Sequence, residues 1–228
     1  MDIVKVDFVN GAKAATGVVV VIDVFRAFTT ACVCFARGAQ RVIAVGDSDK
    51  ALGLRRGDHT LLLGERYGKR IEGFDFGNSP TDVAAADLTG KTVVHTTHAG
   101  TQGLVNATQA EVIFTGALVN AKATVAAIKA LQPQRVTLVR MGLNAEEASD
   151  EDNACAEYLE ALLLDQPVEE SKILARLRAS SYSQRFFDPE QPWSPASDFD
   201  WCLRFNCFDF ALRATPQNHF SCELKVAS

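Results

Sequence analysis

Residues 18–30 read VVVVIDVFRAFTT: five consecutive apolar residues, Val18 to Ile22, closed by Asp23 and followed by Arg26 and the pair Thr29-Thr30. A run that is apolar at every position suits a strand covered on both faces by helices, as in parallel sheets. Phe28, Ala31, Cys32, Phe35 and Ala36 then recur at helical spacing, and Gly38 stands where a helix C-cap belongs. The unit is strand, polar turn, helix. Six further apolar runs repeat it on either side: Ile3 to Phe8, Val42 to Val45, Leu61 to Leu63, Thr92 to His95, Val112 to Thr115 and Val136 to Val139. Helical patterns cover Ala121 to Leu131 and Ser149 to Leu164. This alternation predicts an α/β chain, a three-layer α/β/α core with a mostly parallel central sheet over residues 1–164. Beyond residue 164 the rhythm stops and Pro, Phe, Trp and Cys rise, as in FFDPEQPWSP from Phe186. Residues 165–228 are therefore expected to form a smaller C-terminal appendage, an extension or small subdomain packed on the core.

The chain has 228 residues, 47% of them hydrophobic and 22% charged, enough apolar content for a sizeable core. Its formal charge is −5 and no run of Lys or Arg exceeds two, which argues against a non-specific grip on nucleic acid or an anionic membrane. Val18 to Ile22 is far shorter than the roughly 20 apolar residues of a membrane span, and MDIVKVDF lacks the zones of a secretory signal. Six cysteines without a C-x-x-C pair read as free thiols. A cytoplasmic protein is expected.

Parallel sheets present ligands at the carboxyl ends of their strands, so polar residues directly after the apolar runs are the site candidates. Asp23 could hold a divalent cation and Arg26 a phosphate or carboxylate, whereas a capping role for Asp23 is the structural alternative. The glycine-rich stretch GERYGKRIEGFDFGNSP, residues 64–80, reads as a long binding loop or lid and offers Glu65, Arg66, Asp75, Asn78 and Ser79. Ser79-Pro80 with Asp82 also spells a helix start. In VVHTTHAGTQG, residues 93–103, Thr96, Thr97, Gly100 and Thr101 offer hydroxyls and bare amides to an anion, beside His95 and His98. Glu151 and Asp152 open the helix from Ser149, where Ser149 with Asp152 spells a capping box.

Three stretches together resemble the 2-phosphosulfolactate phosphatase family. They are Asp-x-x-Arg-Ala-x-Thr-Thr at Asp23 to Thr30, Gly-Glu-Arg-x-Gly-x-x-x-x-Gly-Phe-Asp-x-Gly-Asn-Ser-Pro at Gly64 to Pro80, and Glu-Asp-x-x-Cys-Ala at Glu151 to Ala156. The middle stretch fixes eleven residue types over seventeen positions, and the likeness extends over essentially the whole chain. One stretch departs: where Thr-Thr-Asn-Gly-Thr is expected, this chain has Thr96-Thr97-His98-Ala99-Gly100-Thr101, one residue longer and with His in place of Asn.

The resemblance implies a Mg²⁺-dependent phosphatase with an α/β/α fold, named for removing phosphate from 2-phosphosulfolactate on the route to coenzyme M. It implies catalytic roles for Asp23, Arg26, Glu65 and Arg66. Metal binding would fall to Asp23, Asp75, Glu151 and Asp152, and substrate binding to Asn78 and Ser79, joined by Thr96, Thr97, Gly100 and Thr101 from the strand-end reading. The expected partner is a small phosphorylated acid, with homo-oligomerisation left open. A non-catalytic small-anion binding protein on the same scaffold is the alternative. A phosphoaspartyl phosphatase of the haloacid dehalogenase type would need a second Asp two residues after Asp23, where Phe25 stands.

Overall fold

The computed structural model describes residues 1–227. All seven apolar runs are strands. In chain order the elements are β1 (Asp2–Asp7), α1 (Phe8–Ala14), β2 (Gly17–Ile22), α2 (Ala27–Ala36), β3 (Arg41–Val45), α3 (Ser48–Leu52), β4 (Thr60–Arg66), β5 (Lys69–Arg70), α4 (Pro80–Ala84), β6 (Thr92–Thr96), α5 (Gly100–Asn106), β7 (Ala110–Gly116), α6 (Ala121–Ala130), β8 (Arg135–Arg140), α7 (Asp150–Leu163), α8 (Glu170–Ala179), α9 (Ala196–Cys202), β9 (Ala211–Asn218) and β10 (Ser221–Ala227). A 3₁₀ turn at Ser181–Phe186 joins α8 to the segment before α9.

The ten strands form one sheet in the order β1-β8-β2-β7-β9-β10-β3-β6-β4-β5. Two parallel halves, β1-β8-β2-β7 and β3-β6-β4, are joined by the antiparallel hairpin β9–β10. This is the mostly parallel three-layer arrangement that the sequence predicts. Alternate residues of β2 divide between the faces: Val19 and Val21 pack in one core with Ala12, Phe28 and Leu104, and Val18, Val20 and Ile22 in the other with Val125, Leu159 and Phe199. A smaller cluster of Val45, Leu62, Phe74 and Val94 lies under the second half of the sheet.

The C-terminal segment is more deeply involved than an appendage. One sheet runs across the boundary at residue 164, because β9 and β10 pair with β7 and β3 in its middle. In these two strands buried Leu212, Ala214, Cys222 and Leu224 alternate with exposed or half-buried Arg213, Thr215 and Glu223, the period-two pattern of antiparallel strands rather than an unbroken apolar run. The long loop expected over residues 64–80 is also partly regular, since β4 continues to Arg66 and turns back into β5. Among the described residues no helix is long and apolar enough to cross a membrane.

Candidate active site

A cavity of about 360 Å³ opens at the carboxyl ends of β2, β4, β6 and β8. Asp23 and Arg26 reach it from the turn after β2, Glu65 from the end of β4, His98 from the turn after β6, and Glu151 and Asp152 from the start of α7. The C-terminal segment adds Tyr182, Arg185, Gln191 and Trp193 to the wall.

Asp23, Glu151 and Asp152 are all buried. The Asp23 Oδ1 accepts from the Ala27 amide at 3.2 Å, so its capping role is real as well. Burial pushes its pKa up to about 6, the Glu65 charge adds to the rise, and the amides of Ala27 and Gly100 with Arg185 oppose it. Gly100 is required for this approach, because a Cβ there would stand 2.7 Å from Asp23 Oδ2. Burial likewise raises Glu151 to about 7, opposed chiefly by Arg185. Asp152 is pushed well up, by burial first and then by the charges of Glu151 and Asp23.

Ser149 occupies the N-cap of α7 but makes no side-chain cap bond, contrary to the capping box that the spacing predicts. Asp152 is turned away instead, accepting from the Val24 amide at 2.9 Å and the Gly142 amide at 2.8 Å. It thereby ties the end of β2 to the turn after β8. Glu151 Oε2 is buried without a hydrogen-bond partner. Among the described residues none of the three carboxylates is in an ion pair.

The other sequence candidates are partnered within the protein. Glu65 accepts from the Gly68 and His98 amides, each at 2.7 Å, which fixes its carboxylate at the cavity. The His98 ring stands 4.7 Å from that of Tyr67, centroid to centroid. Arg26 donates to Asp198 Oδ2 at 2.5 Å, the Trp193 carbonyl at 2.8 Å and the Gly68 carbonyl at 3.4 Å, so its fork joins three chain segments. Asn78 lines the cavity and faces His95 Nε2 through Oδ1 at 3.2 Å.

Seven candidates lie off the cavity wall. Asp75 pairs with Arg55 at 2.8 Å and accepts from the Leu62 amide at 2.7 Å, so the structure does not bring it to the acidic group. Arg66 donates to Thr96 Oγ1 at 3.1 Å. Ser79 caps α4 through the Asp82 amide and donates to Asp198 at 2.8 Å. Thr97 and Thr101 bond reciprocally through side chain and backbone, and Gly100 is the close neighbour of Asp23 already described.

Sequence reasoning missed Arg185. It donates to the Phe25 carbonyl at 3.0 Å, and its guanidinium lies 5.9 Å from the Phe25 ring and 5.1 Å from the Phe186 ring. The only signal in the sequence is an arginine beside aromatic residues in a stretch with no strand or helix period.

The family model described as 2-phosphosulpholactate phosphatase matches residues 4–212. The chain is 31% identical over 196 residues to a protein of Bacillus subtilis (strain 168), covering 85% of each chain. It is 33% identical over 216 residues to one of Carboxydothermus hydrogenoformans, covering 88% of this chain and 86% of the relative. A protein of Caldicellulosiruptor saccharolyticus is 39% identical over 151 residues, 64% of this chain and 62% of the relative. Each of the three relatives bears the name "Probable 2-phosphosulfolactate phosphatase".

Proposed function

Since the chain belongs to the 2-phosphosulfolactate phosphatase family, we propose that it hydrolyses a small, multiply anionic phosphate monoester, 2-phosphosulfolactate or a close relative, with the help of Mg²⁺. The observation that carries this reading is the set of buried carboxylates Asp23, Glu151 and Asp152. Their charged forms are disfavoured by burial and by one another, Arg185 opposes this for Asp23 and Glu151, and among the described residues no protein cation forms an ion pair with them. A buried charge without a counter-charge costs several kcal/mol, and a divalent cation bound among them would supply it.

The donors fit Mg²⁺. All are hard carboxylate oxygens, and the buried Glu151 Oε2 has no partner. Among the described residues no group of three or more His, Cys, Asp or Glu side chains is placed to hold a metal ion, so Mg²⁺ here would rest on one or two carboxylates, with water and substrate phosphate completing its shell. Asp23 and Glu151 would hold it, while Asp152, fixed on two amides, positions the turns that carry them. Bound there, Mg²⁺ would polarise the phosphoryl oxygens and neutralise developing charge. Glu65 is held at the cavity by its two amide donors. Asn78, whose Oδ1 is engaged by His95, leaves its amide nitrogen to donate into the cavity.

The test is phosphate release from a panel of phosphorylated carboxylic and sulfonic acids that includes 2-phosphosulfolactate, with Mg²⁺ and with a chelator. Release that requires Mg²⁺ and favours a phosphorylated organic acid over an aryl phosphate is expected. A metal-loaded protein that releases none from the whole panel would refute the reading.

A further inference from the structure

Two arginines line the cavity, and they are in different states. Arg26 is buried and occupied by a carboxylate and two carbonyls. Among the described residues Arg185 is in no ion pair, its Nε is buried without a hydrogen-bond partner, and a single carbonyl, that of Phe25, accepts from its fork. An arginine carries five N–H donors in a rigid plane suited to two oxygens of one anion. The flanking rings of Phe25 and Phe186 favour that cation and hold its plane. Arg185 is thus oriented and charged, with most of its donors free.

We propose that Arg185, delivered from the C-terminal segment, is the residue that binds the phosphoryl oxyanion in this cavity, in place of the Arg26 that the sequence motif suggests. The inference rests on the phosphatase reading. Arg185, Asp23 and Glu151 line the same cavity, so an oxyanion held there by the arginine would also meet a metal held by those carboxylates. A carboxylate or sulfonate elsewhere on the substrate shares the chemistry that an arginine fork recognises, and binding measurements separate the two sources.

The experiment is calorimetric titration of the Mg²⁺-loaded protein with inorganic phosphate and, separately, with sulfolactate, for the wild type, Arg185→Gln and Arg185→Lys, alongside their melting temperatures. The expected result is at least tenfold weaker phosphate binding in Arg185→Gln, an intermediate loss in Arg185→Lys, which keeps the charge without the fork, and a smaller change for sulfolactate. Unchanged phosphate affinity in the variants, with a lowered melting temperature, would overturn the proposal and leave Arg185 a clamp on Phe25. Loss of sulfolactate binding with phosphate binding intact would overturn it too. If Arg185→Gln does not fold, Arg185→Lys decides. A wild type that binds no phosphate refutes the inference together with the phosphatase reading.

Discussion

The two parallel halves of the sheet both end in polar residues, but those residues are satisfied to different degrees. After β3, β6 and β4, Glu65 accepts two amides, Thr97 and Thr101 close on each other, and Ser79 is held by the Asp82 amide and Asp198. After β2 and β8, Asp23, Glu151 and Asp152 are buried together, and among the described residues none of them is in an ion pair. A polar residue at a strand end is therefore not by itself a sign of a site. Fully partnered groups specify the architecture, whereas buried charges that lack a counter-charge mark where something else must bind. Arg26, although it follows β2, is fully partnered, whereas Arg185 is not.

The sharpest way to break the division is Asp198→Ala, which leaves buried Arg26 without its carboxylate and also removes the acceptor for Ser79 and the Thr81 amide. Removing one partner of a buried ion pair costs about 3–5 kcal/mol, and that loss is expected in chemical denaturation. A near-normal stability would show that the partnered network is not architectural. Asp23→Asn probes the other side. It keeps the bond to the Ala27 amide while removing a crowded charge, so phosphate release is expected to fall about a hundredfold or more, ~2.7 kcal/mol in the barrier, with no loss of melting temperature. A variant that keeps its activity and melts earlier would make Asp23 a cap and nothing more.

Why the halves were unequally legible follows from the range of the interactions. The parallel strands and the turn after β2 are local, since apolar runs and the residue that ends them are adjacent in the chain. Ser79-Pro80 as a helix start is equally local and is found in place. The partnership of Arg26 with Asp198 spans 172 positions, and no spacing rule reaches that far. Asp152 shows the same limit, because its contacts to Val24 and Gly142 override a capping box that its own neighbours spell. Arg185 was invisible for a different reason. It sits in a 3₁₀ turn of a Pro- and Phe-rich stretch, where neither period two nor period 3.6 marks which side chains face inward. The strands β9 and β10 alternate, and so escape a search for unbroken apolar runs.

The halves also respond oppositely to acid. Asp23 and Glu151 have folded pKa values above those of the unfolded chain, so in metal-free protein each takes up a proton on folding and adds stability as pH falls through its folded value. His95 does the reverse, since burial pushes its pKa down from 6.5 to about 3. Below about pH 6.5 the unfolded chain binds a proton that the folded chain refuses until about pH 3, and stability is lost as pH falls through that window. At pH 5 the loss is about 2 kcal/mol. Replacing His95 by Gln should abolish this component, so the change in unfolding free energy between pH 7 and pH 5 should differ from that of the wild type by about that amount. Identical pH profiles would mean that His95 is not held neutral by the fold.

The smallest expected effect separates capping from ligand binding at Ser79. Its Oγ accepts from the Asp82 amide at 3.2 Å and donates to Asp198 at 2.8 Å, and both bonds lie within the partnered half. Ser79→Ala removes the cap, which costs about 1 kcal/mol, and leaves one oxygen of Asp198 with the Thr81 amide alone. The melting temperature is expected to fall by a few degrees. The Michaelis constant for a phosphorylated acid should stay as it was, because the hydroxyl is already committed and does not line the cavity. A variant with the wild-type melting temperature but a severalfold higher Michaelis constant would place Ser79 at the ligand. The division would then have to be redrawn around the helix start that the sequence motif contains.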